Sequence, residues 1–255
     1  MSTAEDLARL LADARHAVVL TGAGISTESG IPDFRSPGGL WEKYDPMEVG
    51  SMDMFVRDPE KFWRFHRPRY DAVAEVEPNP AHHAVAELER RGIVKALITQ
   101  NIDGLHRRAG SKDPIEIHGS LSGGRCLRCG HTVSVDELLA RADATFDGVP
   151  RCNCGFQLKS SVVLFGELLP QAEMEAALEE AEKADVLLVI GSSLLVSPVS
   201  DIPGMVLGHG GSLAIVTEGE TPYDHRATVR LHTWAAGTMV EVVEHLDAME
   251  DSTAK

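Results

Sequence analysis

The chain has 255 residues, 43% of them hydrophobic, with 39 acidic against 24 basic side chains and a formal charge of −15. That length holds one large domain or two modest ones around a sizeable core. The charge argues against a phosphate-neutralising surface, so no direct nucleic-acid partner is expected, whereas a basic partner such as a lysine-rich segment suits it.

From the N-terminus, Ser2-Thr3-Ala4-Glu5 reads as a capping box opening a helix with Leu7, Leu10 and Leu11 on one face. No secretion signal is legible there, and the longest aliphatic run, Val186 to Ile190, is too short to span a bilayer. A cytoplasmic protein without a membrane partner is the expectation. Short aliphatic strands are expected at Ala17–Leu20, Ile93–Ile98, Val162–Phe165, Val186–Ile190 and Leu213–Val216, with a shorter one at Ile115 to Ile117. Asn79-Pro80 supplies an N-cap and a first-turn proline for a helix through Arg90, and Pro170 starts the Ala/Glu-rich run to Ala184. Strands alternating with helices predict an α/β fold with a parallel sheet covered on both faces. Two stretches break the rhythm. Asp33 to Val76 is rich in aromatics and arginine, and Pro68 is expected to interrupt any long helix there. Ser120 to Lys159 holds glycines and cysteines, with one clear helix start at Ser134. Both read as insertions that together build a smaller lobe.

Two segments carry most of the chemistry. Gly22 to Arg35 reads GAGISTESGIPDFR and leaves the strand Val18-Val19-Leu20 as a glycine-rich loop. Glycines let backbone N–H groups come close to a phosphate. The match to G-x-G-x-x-G is incomplete, because Thr27 stands where the third glycine belongs. Thr99 to His106 reads TQNIDGLH and sets an amide, a carboxylate and an imidazole at the end of another apolar strand. Ligands sit at the carboxyl ends of strands in open α/β folds, so the two segments are expected to share one nucleotide cleft. Phe34 and Arg35 could reach over a bound nucleotide, and His118, ending the short strand, is a candidate general base.

All four cysteines fall within 29 residues, as Cys126-Leu-Arg-Cys129, a gap of 22 residues, and Cys152-Asn-Cys154. Two close pairs at this spacing can supply four thiolates to one tetrahedral zinc, with Gly130 and Gly155 in the knuckle turns; a disulfide framework is the competing reading, disfavoured in a cytoplasmic chain. Four protein ligands leave no open coordination position, so the expected role is structural.

These segments, together with GLW, IHG, VVLFGE followed by Leu168-Leu169-Pro170, and GSSLLVSP, resemble the sirtuin family of NAD-dependent protein-lysine deacylases along nearly the whole chain. The resemblance implies a Rossmann-like domain from residues 1–32, 82–118 and 161–255, a helical module at 33–81 and a zinc-binding module at 119–160. It implies that Gly22, Ala23, Gly24 and Ser26 bind the NAD pyrophosphate, with Phe34 and Arg35 near the nicotinamide ribose. Gln100 and Asn101 would contact that ribose or an ordered water, Ile102 and Asp103 would hold the carboxamide, and His118 would be the base, with Asn101 and Asp103 sharing the catalytic work. Gly191, Ser192 and Ser193 would bind the adenosine side. Val163, Phe165, Gly166 and Glu167 would form a strand to which an acyl-lysine peptide adds by backbone pairing. The implied products are free lysine, nicotinamide and 2′-O-acyl-ADP-ribose.

The chain departs from the family pattern at Thr217, where asparagine is usual for the adenosine ribose, and at Ser192, where threonine is common; Ala236 is a loose match near adenine. Relatives that remove acidic acyl groups carry a tyrosine and an arginine three residues apart in the helical module, and here His66 and Arg69 stand there. Arg69 could grip an acyl carboxylate, but Pro68 between them is expected to turn it towards solvent, so acetyl is the preferred acyl group. The alternatives are desuccinylation or another deacylation, mono-ADP-ribosyl transfer, and a non-catalytic NAD-binding module, against which the intact His118, Asn101 and Asp103 argue.

Overall fold

A computed structural model of the protein describes residues 2–34 and 38–253. Its larger sheet is six-stranded and parallel, in the order β3-β2-β1-β7-β8-β9, where β1 is Ala17–Thr21, β2 Val94–Thr99, β3 Ile115–Glu116, β7 Val186–Ile190, β8 Ser212–Val216 and β9 Val229–Leu231. Counted within the sheet, this is the doubly wound order 3-2-1-4-5-6, whose direction of winding reverses between β1 and β7. All five residues of β1 and of β7 are buried. Apart from Thr21 they are aliphatic in succession, because both faces of the sheet are covered.

Alternation along β1 sends Ala17 and Val19 to one face and Val18 and Leu20 to the other. On the first face Leu7 and Leu11 of α1 (Ala4–Ala12), Val85 and Leu88 of α6 (Pro80–Arg90), and Met239 and Val242 of α11 (Ala235–Thr253) complete the core. On the second lie Ala177 and Ala181 of α9 (Gln171–Lys183) and Val206 of α10 (Ile202–Gly208). The capping box of α1 sits one residue later than expected: Thr3 is the cap and its partner is Asp6, because the Thr3 hydroxyl accepts the Asp6 N–H at 3.2 Å. Asn79 caps α6 as expected, and its side-chain amide also donates to the Ile25 carbonyl at 2.7 Å, pinning the helix to the segment after β1.

A second, antiparallel sheet has the order β5-β4-β6, from β4 (Gly123–Cys126), β5 (Thr132–Ser134) and β6 (Leu158–Ser160), with α8 (Val135–Asp143) against it. Among the described residues, four helices lie between β1 and α6: α2 (Leu40–Lys43), α3 (Pro46–Val49), α4 (Met52–Arg57) and α5 (Pro59–Glu75). Phe55, Phe62, Trp63 and Tyr70 from α4 and α5 form one apolar cluster with Val133, Leu138, Leu158 and the cysteines Cys126 and Cys152. The stretches expected as insertions thus pack on each other.

Pro68 does not interrupt the helix there; it lies inside the 17-residue α5. The proline removes one N–H from the ladder, but buried Phe62, Trp63 and Tyr70 hold the helix on both sides of it. Just after the proline, the Arg69 guanidinium donates to the Phe65 carbonyl. The strand expected at Val162–Phe165 is also corrected: this stretch belongs to neither ladder. Its backbone bonds are divided, Val163 N–H to the His118 carbonyl at 2.8 Å and Phe165 N–H to the Gly50 carbonyl at 3.0 Å, with a single bridge between Ser51 and Phe165. It spans the seam between the two sheets instead of extending either. Among the described residues no helix is long and apolar enough to cross a membrane.

Candidate active site

The carboxyl ends of β1 and β7 meet where the sheet reverses. After β1 the chain turns through Gly22 into a short 3₁₀ segment, Ala23–Ser29. Gly24 N–H donates to the Gly191 carbonyl at 2.8 Å. A Cβ on Gly24 would lie 2.8 Å from Gly191 backbone, and one on Gly191, whose φ is +63°, would lie 2.2 Å from the Ile25 nitrogen. Close approach of the two loops requires both glycines, and a left-handed backbone requires a glycine at 191 as well. The spacing alone pointed only to a phosphate.

The end of β2 folds over the same loop. Asn101, buried, donates from Nδ2 to the Gly22 carbonyl and to Ser26 Oγ, both at 3.2 Å. Ser26 Oγ in turn donates to Asp103 Oδ2 at 2.7 Å, and Asp103 Oδ1 accepts the Leu105 N–H at 2.9 Å. Burial pushes the Asp103 carboxyl above the usual carboxylate range, against the pull of those hydrogen bonds. Gln100 Nε2 donates to Ser192 Oγ at 2.8 Å, joining β2 to the loop after β7 across β1. The Ile102 carbonyl accepts the Leu121 N–H at 2.9 Å, and Ser193 follows on the Ser192 loop.

Beneath the site, Thr21 Oγ1 donates to Thr99 Oγ1 at 2.8 Å and lies 2.9 Å from His106 Nε2. Burial holds the rings of His82 and His106 at about 4 and about 3, so both are neutral near pH 7.

His118 lies at the junction of the two sheets. Its Nδ1 is 3.0 Å from the Gln100 carbonyl. A carbonyl only accepts, so Nδ1 carries the hydrogen and Nε2 is left with the lone pair that a general base needs. Phe34 stacks on Trp41 with ring centres 5.2 Å apart, and Trp41 meets Phe165 edge-on at 5.9 Å. Trp41 thus couples two candidate residues from different segments. Arg35 lies outside the described residues.

A cavity of about 340 Å³ adjoins the glycine loop, lined by Gly24, Asp33, Gly191, Thr217, Glu218, Trp234 and Ala235 among others. Ala236 is buried one residue further on, and its N–H donates to Glu28 Oε2 at 2.7 Å. The walls at this end are Trp234 and Ala235. The resemblance pointed to Ala236, and nothing in the sequence marked Glu28 as the cap of α11.

Of the residues expected to pair with a peptide, Phe165 is partly exposed and Gly166 has φ +88°, whereas Glu167 points inward, with Oε2 2.8 Å from both the Leu164 N–H and Lys159 Nζ. His66 hydrogen-bonds the Val49 carbonyl at 3.0 Å, and burial holds its ring at about 4. The Arg69 guanidinium covers the Phe65 ring at 3.4 Å and faces Tyr44 at 5.7 Å. Arg69 is half-buried and stacked, neither turned to open solvent nor free to grip a carboxylate.

The four cysteines bring their Sγ atoms within 4.8 Å of one another, with Cys126 and Cys154 at 3.5 Å and Cys129 and Cys152 at 3.6 Å. Four thiolates about 2.3 Å from one zinc lie roughly 3.8 Å apart, and bonded sulfurs about 2.05 Å apart. The set fits a tetrahedral zinc and excludes disulfides. Gly130 and Gly155, at φ +75° and +82°, make the knuckle turns.

The Sir2 family model matches residues 22–198. The chain belongs to the Sir2 family. It is 50% identical to NAD-dependent protein deacetylase 2 of Caldanaerobacter subterraneus subsp. tengcongensis, over 87% of each chain. It is 43% identical to the NAD-dependent protein deacetylase of Sulfolobus acidocaldarius, over 98% of each. Among solved structures, a Sir2–p53 peptide–NAD+ complex superposes with a TM-score of 0.88 at 38% identity, covering 95% of this chain and 98% of that one.

Proposed function

We infer that this Sir2 protein is an NAD-dependent protein-lysine deacetylase. The observation that carries the reading is the intact polar constellation at the switch point, Asn101, Ser26 and Asp103 on one side and His118 on the other, held over a glycine cradle. The relatives' names and the NAD and peptide in the similar complex support it.

The fit to NAD rests on the crevice. Gly22, Ala23, Gly24 and Ser26 would border a pyrophosphate, the glycines leaving it room, while the Gly22 and Gly24 N–H groups are held by the Ile190 and Gly191 carbonyls and the Ser26 hydroxyl by Asp103. Gly191, Ser192, Ser193 and Thr217, with the start of α11 at Ala235 and Ala236, would take the adenosine. Gln100, Asn101, Ile102 and Asp103 would meet the nicotinamide end, with Phe34 and Arg35 closing over it. NAD, when bound, supplies the ribose carbon that accepts the acyl oxygen as nicotinamide leaves.

The chain's own residues do the rest. Asn101 and Asp103 hold one face of the crevice in a fixed geometry, which fixes the angle at which a leaving group departs. Phe34, Trp41 and Phe165 exclude water from the same side. His118 Nε2 takes the proton that a ribose hydroxyl loses on attacking the transferred acyl group. Val163, Phe165, Gly166 and Glu167 present the segment along which an acyl-lysine peptide aligns. Acetyl is the proposed acyl group, because Arg69 is stacked on Phe65. We place the enzyme in the cytoplasm, where four clustered thiols stay reduced and available to zinc.

His118→Ala tests the reading with an acetyl-lysine peptide. Deacetylation is expected to fall on the order of 100-fold or more, the usual scale for a general base, with NAD affinity within a few-fold. Full activity in that variant would remove the proposed base.

A further inference from the structure

Lys159 is the middle residue of β6 and, among the described residues, the most deeply buried lysine, arginine or carboxylate of the smaller lobe, at 3% exposure. Its ammonium group has three hydrogens. It donates to the Ser160 carbonyl at 3.1 Å, to the Val162 carbonyl at 2.6 Å and to Glu167 Oε2 at 2.8 Å. The donor set is saturated. Glu167 Oε2 also accepts the Leu164 N–H at 2.8 Å, and the Glu167 N–H returns to the Leu164 carbonyl at 3.0 Å. One ion pair thus fastens both ends of the arc from Ser160 to Glu167. Inside the arc, Val163 N–H is bound to the His118 carbonyl, and Phe165 is bound to Gly50 and Met52. The arc therefore carries His118 on one side and the helical module on the other.

We propose that the buried Lys159–Glu167 pair is a positioning device: it sets the acyl-peptide-binding segment in register with His118. This rests on the deacetylase reading for the peptide's place and on the hydrogen bonds alone for the strut. Burial lowers the Lys159 pKa while Glu167 opposes the shift. Without the pair, the Ser160 and Val162 carbonyls lose a donor and residues 161–167 are fixed only by their bonds to the two lobes.

The test uses full-length, zinc-loaded Lys159→Met, Glu167→Gln, Lys159→Arg and the Met/Gln double variant. Amide hydrogen exchange without any ligand is expected to speed up at 161–167 in Lys159→Met and not in the large sheet. The KM for an acetyl-lysine peptide should rise on the order of tenfold, with kcat at saturating peptide and NAD affinity changed less than about threefold. Lys159→Arg should recover part of the loss, and the double variant should be no worse than Lys159→Met alone. Unchanged exchange at 161–167 overturns the strut. So does an additive double variant, or a loss in which kcat, NAD affinity and zinc content fall together. Wild-type enzyme silent on acetyl-lysine peptides would defeat the deacetylase reading instead, and the exchange data would still decide the strut.

Discussion

Asn101 Nδ2 lies 3.2 Å from the Gly22 carbonyl, so the tip of β2 is fastened to the glycine loop that leaves β1. The same amide reaches Ser26 Oγ, which donates to Asp103. One side-chain amide therefore holds both walls of the crevice. Asn101→Asp keeps the size but cannot donate, and it sets a second carboxylate beside the Ser26–Asp103 contact. Leaving such buried groups unpaired costs about 1–3 kcal/mol. Nicotinamide release with saturating acetyl-lysine peptide is expected to fall roughly 10- to 100-fold, and wild-type rates in that variant would show that the amide is dispensable.

Much of this was legible because it depends on short-range chemistry. Asn79 with Pro80, Ser134 and the paired cysteines each act within a few residues of themselves, and all sit where expected. Pro68 was misread because its effect depends on Phe62, Trp63 and Tyr70 packing against another module, which a local rule cannot see. Val162 to Phe165 has strand composition, yet its neighbours are His118 and Gly50 from different lobes. Lys159 and Glu28 carried no signal, since a buried lysine and a glutamate capping a helix 207 residues further along the chain are products of the tertiary fold.

Cys126 contributes to the thiolate cluster and to the apolar cluster that α4 and α5 share with the smaller sheet. Cys126→Ser should therefore lose zinc and loosen that packing. Metal analysis should show zinc well below one ion per chain. Thermal unfolding should shift down by roughly 5–10 °C, which corresponds to a few kcal/mol for a domain of this size. Stoichiometric zinc with an unshifted melting curve would defeat the assignment.

Arg69 is occupied by contacts within its own helix. Its guanidinium stacks on Phe65 and donates to that residue's carbonyl, and a succinyl carboxylate would have to break both contacts. Wild-type kcat/KM is expected to favour an acetyl-lysine over a succinyl-lysine peptide by at least about tenfold, a difference of roughly 1.4 kcal/mol. Arg69→Ala should weaken both substrates alike through lost packing. A selective loss of desuccinylation in that variant would make Arg69 a recognition residue after all.

His82 and His106, together with His66, tie the stability of the fold to acid pH. The ring centres of His82 and His106 are 4.9 Å apart, both side chains are buried, and His106 Nδ1 has no hydrogen-bond partner among the described residues. With folded values of about 4 and about 3, each ring stays neutral in the native state, whereas the unfolded chain takes up protons below its ordinary 6.5. Stability from this source is complete above about pH 6.5 and is lost as pH falls towards 4. At pH 5.5 the loss is roughly 1.4 kcal/mol per histidine. The urea midpoint should therefore fall between pH 7.5 and 5.5 for the wild type and fall by about a third less for His106→Gln, because His82 and His66, both held at about 4, still gain protons on unfolding. An equal drop in both proteins would place the acid sensitivity elsewhere.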